Sequence, residues 1–178
     1  PEYLQRENLL SNMDDSIRHL HKNLEEMNGT IKRLGNLMCN IGNNFKDAIS
    51  TTSPDFQDVS TKAQETGTNI HQYTEKAFEN NFPSYVLNPL NALVNELKEL
   101  KKKNDECKKS HILLNSSEES LTKARNNKSS NVSKYDEEVE ERKSTYNKLH
   151  TEFINSVDDL VKRKGQVCND VYVAAVTY

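Results

Sequence analysis

Leu10, Met13, Ile17, Leu20, Leu24, Met27, Ile31, Leu34, Met38, Ile41, Phe45 and Ala48 follow one another at steps of three and four without a miss. At 3.6 residues per turn, this spacing draws one apolar seam down a single helix for more than five heptads. A helix of about 45 residues is roughly 70 Å long. A compact globule of this chain's length would have a radius of gyration of only about 16 Å. The helix cannot be enclosed in such a globule, so the chain must fold as a long coiled coil. Gly35 and Gly42 lie seven apart beside the seam. Either they admit a close neighbouring backbone or they are simply tolerated in the helix.

The segment "STTSPDFQD" breaks this pattern, with Ser53 placed to cap a second helix, Pro54 in its first turn and Asp55 at its positive end. Phe56, Val59, Ala63, Ile70, Tyr73 and Ala77 then keep the same rhythm. Its phase shifts across "FENNFPSYVLNP", where Pro83 and Pro89 each remove a backbone hydrogen bond, which predicts a kink and not a break. The seam resumes at Val86, Leu90, Leu93, Leu97, Leu100, Asn104, Cys107, His111 and Leu114. "KARNNKSSNVS" has no periodicity and reads as a turn. A third helix carries Val132, Tyr135, Val139, Tyr146, Leu149, Phe153, Val157, Leu160, Val167, Val171, Ala174 and Tyr178, and its last turns, "VCNDVYVAAVTY", are apolar around much of the circumference.

The predicted fold class is all-α: one domain over 1–178, an elongated antiparallel three-helix coiled coil with a kinked second helix. Helix 1 spans about 2–50 and helix 2 about 54–122, kinked near 83–89. A tip turn covers about 123–131 and helix 3 about 132–178. One chain leaves these seams partly covered, so a symmetric homodimer is expected.

The chain offers no catalytic pattern: there is no Gly-rich phosphate loop, HExxH, CxxC pair or nucleophile elbow. No enzyme activity, cofactor or metal is expected. His19 and His21 point to different sides of a helix, and His111 on the seam reads as a packed, hydrogen-bonded core histidine. Cys39, Cys107 and Cys168 are odd in number and far apart, which suits a reducing cytoplasmic setting; the N-x-S/T matches at Asn28, Asn115, Asn127 and Asn131 keep a secreted alternative open. No apolar run reaches the roughly 18 to 20 residues that would cross a bilayer.

The net charge of −3 conceals a division along the chain. Residues 1–97 hold 8 Lys/Arg against 13 Asp/Glu, residues 98–134 hold 10 against 5, and residues 135–178 hold 6 against 9. Lys98, Lys101, Lys102, Lys108 and Lys109 recur at spacings of three, four and seven beside the second seam, interrupted by Asp105, with Lys103 among them. Lys123, Arg125, Lys128 and Lys134 gather at the turn. A solubilising surface is the plain reading of such a run. A one-sided stripe joined to a basic tip on an otherwise acidic chain points instead to an anionic partner. Aromatic side chains do not interleave with the lysines as stacking on single-stranded nucleic acid requires, so anionic phospholipid is favoured and nucleic acid is not. The acidic run "DEEVEE" at 136–141 is either a solvated face or a partner for lysines of the second helix.

In the order of its parts the chain resembles the BAR domain family: a long heptad helix, a Pro-kinked second helix, a basic tip and a third helix with an apolar end. "FPSYVLNPL" at 82–90 resembles the V-L-x-P stretch of yeast-type and amphiphysin-type members. "LKELKKKNDECKK" resembles the lysine-rich continuation of members linked to Arf GTPase-activating proteins. The Arg/Lys-rich element ending in Asp-Tyr-Asp is replaced by "KKSHILLNSS", and no basic amphipathic segment precedes the first helix, which leaves the amphiphysin, Arf-GAP and sorting-nexin types all open. The resemblance implies a crescent-shaped homodimer, cytoplasmic and peripheral to membranes, that senses or generates curvature. Lys98, Lys101, Lys102, Lys103, Lys108 and Lys109 would line its concave face, with Lys123, Arg125, Lys128 and Lys134 at the tips. Two alternatives stand beside it: a spectrin-like or vesicle-fusion-type scaffold without lipid binding, and a dimer that captures a small GTPase.

Overall fold

The computed structural model describes residues 2–50 and 56–177. Helix α1 runs Glu2–Ser50, α2 runs Gln57–Glu75, α3 runs Asn88–Asn126 and α4 runs Val132–Thr177. No strand occurs among the described residues. The capping arrangement expected at Ser53, Pro54 and Asp55 lies outside them.

Between α2 and α3 the backbone stays helical but widens into two π-helical turns, Lys76–Asn81 and Pro83–Leu87. The N–H of Phe82 donates to the Ala77 carbonyl and that of Asn88 to the Pro83 carbonyl, each five residues back. A proline ring clashes with the carbonyl four residues before it, and the wider register makes room. α2, the two π turns and α3 are therefore one continuous second helix with a proline kink. The distortion starts at Lys76, seven residues before Pro83 and ahead of the expected 83–89.

The chain divides into two compact units. In the unit formed by residues 1–16 and 93–165, α1 runs antiparallel to α3 and parallel to α4. Asp14 pairs with Lys101 and Glu7 with Lys108 along α3, while Arg6 reaches Asp158 on α4. Leu10, Met13, Leu97, Leu100, Cys107, Phe153, Val157 and Leu160 are buried, as their seam positions require. Tyr3 fits between α3 and α4: its ring stacks on His150 at 5.3 Å and meets Phe153 at 5.2 Å. Its hydroxyl donates to Asn104 Oδ1, and Asn104 Nδ2 donates to Glu7 Oε1 at 3.0 Å. A buried amide with each bond satisfied fixes one register between helices. His111, expected in the core, is exposed; its ring stacks on Tyr146 at 4.9 Å, so it covers the seam and does not fill it.

Further along, Leu114, Leu121 and Val139 form a small core with Val132, Tyr135 and Tyr146. α3 continues through Asn126, beyond the expected helix end near 122, because Ala124 extends the buried row at a three-residue step from Leu121. The turn closes with Ser129 N–H on the Ala124 carbonyl and Lys128 N–H on the Arg125 carbonyl, with Lys128 at φ 50°. This is a Schellman closure with a lysine where glycine is usual.

In the other unit, residues 17–92 and 166–178, α1 and α2 pack antiparallel at backbone distance. A Cβ on Gly42 would stand 2.6 Å from the Ala63 carbonyl oxygen, and one on Gly67 would stand 2.5 Å from that of Met38. The close backbone approach is realised at Gly42, with Gly67 as an unforeseen counterpart on α2, whereas Gly35 faces the side chain of Thr74. Lys46 donates to Gln64 at 2.6 Å, and Gln64 donates to Asn43 at 3.1 Å. Ala77, Phe78, Phe82, Val86, Leu90 and Val171 are buried in this unit.

Candidate functional site

A helix places residues 100° apart around its axis, and this sorts the basic residues of α3. Lys98, Lys102, Lys109 and Lys123 fall within about 60° of one line, which also carries Asp105. All four are exposed. Lys102 pairs with Glu99 at 2.7 Å, both well exposed, a contact of small energetic weight. Lys98, Lys109 and Lys123 make no ion pair with another described residue.

The remaining lysines point elsewhere. Lys101 turns toward α1 and sits 2.5 Å from Asp14, whose side chain is only 4% exposed. Lys108 turns the same way onto Glu7. The Lys108 ammonium, with Asn104 helping, holds the Glu7 carboxyl below its usual range, and Glu7 in turn raises the Lys108 pKa. Burial raises the Cys107 thiol and the Tyr3 phenol, so both stay neutral between these charges. Lys103 lies on the α4 side and donates to Ser156 at 3.2 Å. The stripe expected on one side of α3 is thus divided between an outward row and two pairs that join α3 to α1. The acids responsible, Glu7 and Asp14, stand three positions before Leu10 and one after Met13. That seam-flanking placement is the signal that could have identified them.

At the turn, Arg125 pairs with Asp136 of α4 at 2.9 Å, while Lys128 and Lys134 are exposed. Other acids of the 136–141 run are satisfied close by. Glu138 accepts from Arg142 at 3.3 Å and from Ser117 at 3.1 Å, and Glu140 lies 3.9 Å from Lys143. They do not neutralise the outward row of α3.

A second surface concerns the first seam. It is buried at Leu10, Met13 and Ile17 but open further on: Leu34 is 54% exposed, Ile41 57% and Phe45 46%. Val59 and Tyr73 of α2 and Tyr172, Val173 and Val176 of α4 are exposed as well. Single exposed apolar side chains are ordinary; a run of heptad positions facing solvent is not.

Among the described residues there is no cluster of His, Cys, Asp or Glu suited to a metal, and no helix is long and apolar enough to cross a membrane. No curated protein matches the chain. The family model for the BAR domain matches residues 2–172. With the kinked second helix in place and nearly the whole length matched, the chain belongs to the BAR domain family, dimeric helical modules that bind membranes and sense or generate their curvature.

Proposed function

We propose that this chain binds anionic phospholipid surfaces as a crescent-shaped homodimer, with Lys98, Lys102, Lys109 and Lys123 as the main contacts on its inner face and Lys128 and Lys134 at the tips. The observation that carries this reading is the outward row itself: four lysines against one acid on a single line of α3, while acids of α1 occupy Lys101 and Lys108. Lys103 and Arg125 contribute to the field with partners of their own.

Magnitudes favour two chains. Each lysine near an anionic leaflet contributes about 1 kcal/mol. Four of them give ~4 kcal/mol, an affinity near ~1 mM, whereas eight held on one rigid body approach ~1 µM. A single chain would scarcely stay on a vesicle. The open α1 seam is the surface we assign to the second copy.

The test is co-sedimentation with phosphatidylserine vesicles. Lys98, Lys102, Lys109 and Lys123 are reversed together to glutamate, leaving Lys101 and Lys108 in place because they hold α1. Binding by the native chain should weaken steeply with salt. The reversed chain should lose it while keeping its helical circular dichroism and its melt. Undiminished binding by the reversed chain would remove this face from the account. Absence of binding by the native chain would favour the protein-scaffold alternative.

A further inference from the structure

One turn beyond Lys108 and Lys109, after Ser110 and His111, α3 exposes two large apolar side chains: Ile112 at 66% and Leu113 at 49%. Measured from Lys109 at 100° per residue, Ile112 lies about 60° to one side of the lysine row and Leu113 about 40° to the other. The pair therefore straddles the row. From Ser110 to Ser117 the helix carries no Asp, Glu, Lys or Arg. The one titratable side chain of that stretch, His111, is turned onto the Tyr146 ring, so Ile112 and Leu113 stand in a stretch without a carboxylate, ammonium or guanidinium. The α1–α3 register set by Asp14–Lys101 and Glu7–Lys108 also brings Leu4, 59% exposed, level with this turn. On the α4 side, Leu113 borders a groove whose acids are Glu106, Glu138 and Glu141, with Arg142 on Glu138.

Exposed apolar side chains cost free energy in water, and a pair set one helical turn beyond Lys108 and Lys109, with Glu118 and Glu119 not met until the far end of the uncharged stretch, has the composition of a lipid-interface contact. Resting on the membrane reading above, we propose that Ile112 and Leu113 form an insertion pair: they enter the bilayer interface beneath the phosphates while Lys109, Lys102 and Lys98 engage the phosphates themselves. The occupant is an anionic lipid leaflet, chosen because the row beside the pair is cationic. The consequence is a component of membrane binding that salt does not screen.

The chain contains no tryptophan, so an Ile112→Trp variant carries a single indole reporter. On phosphatidylserine vesicles its emission should shift to the blue, and lipids brominated near the top of the acyl chain should quench it. In a second variant, Ile112→Gln with Leu113→Gln, vesicle affinity should fall at least about tenfold at low salt and at about 0.5 M salt alike, because the lost contribution is not screened. If the Ile112→Trp protein binds vesicles while its indole stays solvent-like and unquenched, insertion is overturned and the lysine face still stands. A blue shift that follows protein concentration without lipid would assign the pair to protein contact and also overturn it. Failure of the native chain to bind vesicles at all would defeat the underlying membrane reading, and insertion with it.

Discussion

Lys128 adopts φ 50° at the end of α3, a left-handed conformation that costs an L-residue about 1 kcal/mol or more and glycine very little. Lys128→Gly should therefore raise stability by about 1 kcal/mol, read as a higher melting temperature, while lowering vesicle binding if the tip touches lipid. An unchanged or lower melt would show that the turn does not hold this residue under strain. Glu7 is the second informative residue. Lys108 and Asn104 depress its pKa below the ordinary 4.5. Its contribution is thus complete above that value and is lost as pH falls toward the folded-state pKa. The native melt should decline below about pH 4.5, and Glu7→Gln should remove that part of the decline. Parallel declines in both proteins would exclude Glu7 as the source.

At the scale of elements, α1 and α2 are held close by glycine, and the expected effects depend on what each Cβ would meet. Gly42→Ala sets a methyl 2.6 Å from a backbone carbonyl that cannot rotate away, so the helices must separate, at about 1–3 kcal/mol. Gly165→Ala meets nothing within 4 Å and should stabilise α4 by up to about 1 kcal/mol. Denaturant titration of the two variants checks both signs; equal effects would mean the contact does not depend on glycine. Much at this scale was legible from sequence. An unbroken three/four rhythm specifies a long helix because only one periodicity fits it, and two prolines six apart mark the kink. Other features were hidden for physical reasons. The π register extends ahead of Pro83 because the strain of a missing bond spreads toward the N-terminus. The end of α3 was obscured by Ala124, too small to stand out as a seam residue. The lysines of α3 read as one stripe on one side because spacing alone does not reveal which side chains meet an acid on another helix, as Lys101 and Lys108 do.

At the scale of the whole molecule, whatever covers Leu34, Ile41 and Phe45 decides how the protein works. Leu34, Ile41 and Phe45, open to water along α1, are a large apolar surface for a chain this polar, and in the homodimer proposed above a second copy would supply the complementary surface by symmetry. Replacing Ile41 and Phe45 with glutamate should yield a monomer that no longer sediments with anionic vesicles, since four lysines alone bind near ~1 mM. Whether two chains pair at all is decided by the molar mass of the native chain, measured by light scattering at micromolar concentration. A homodimer gives twice 20.4 kDa, the expected result. A mass of 20.4 kDa would contradict it.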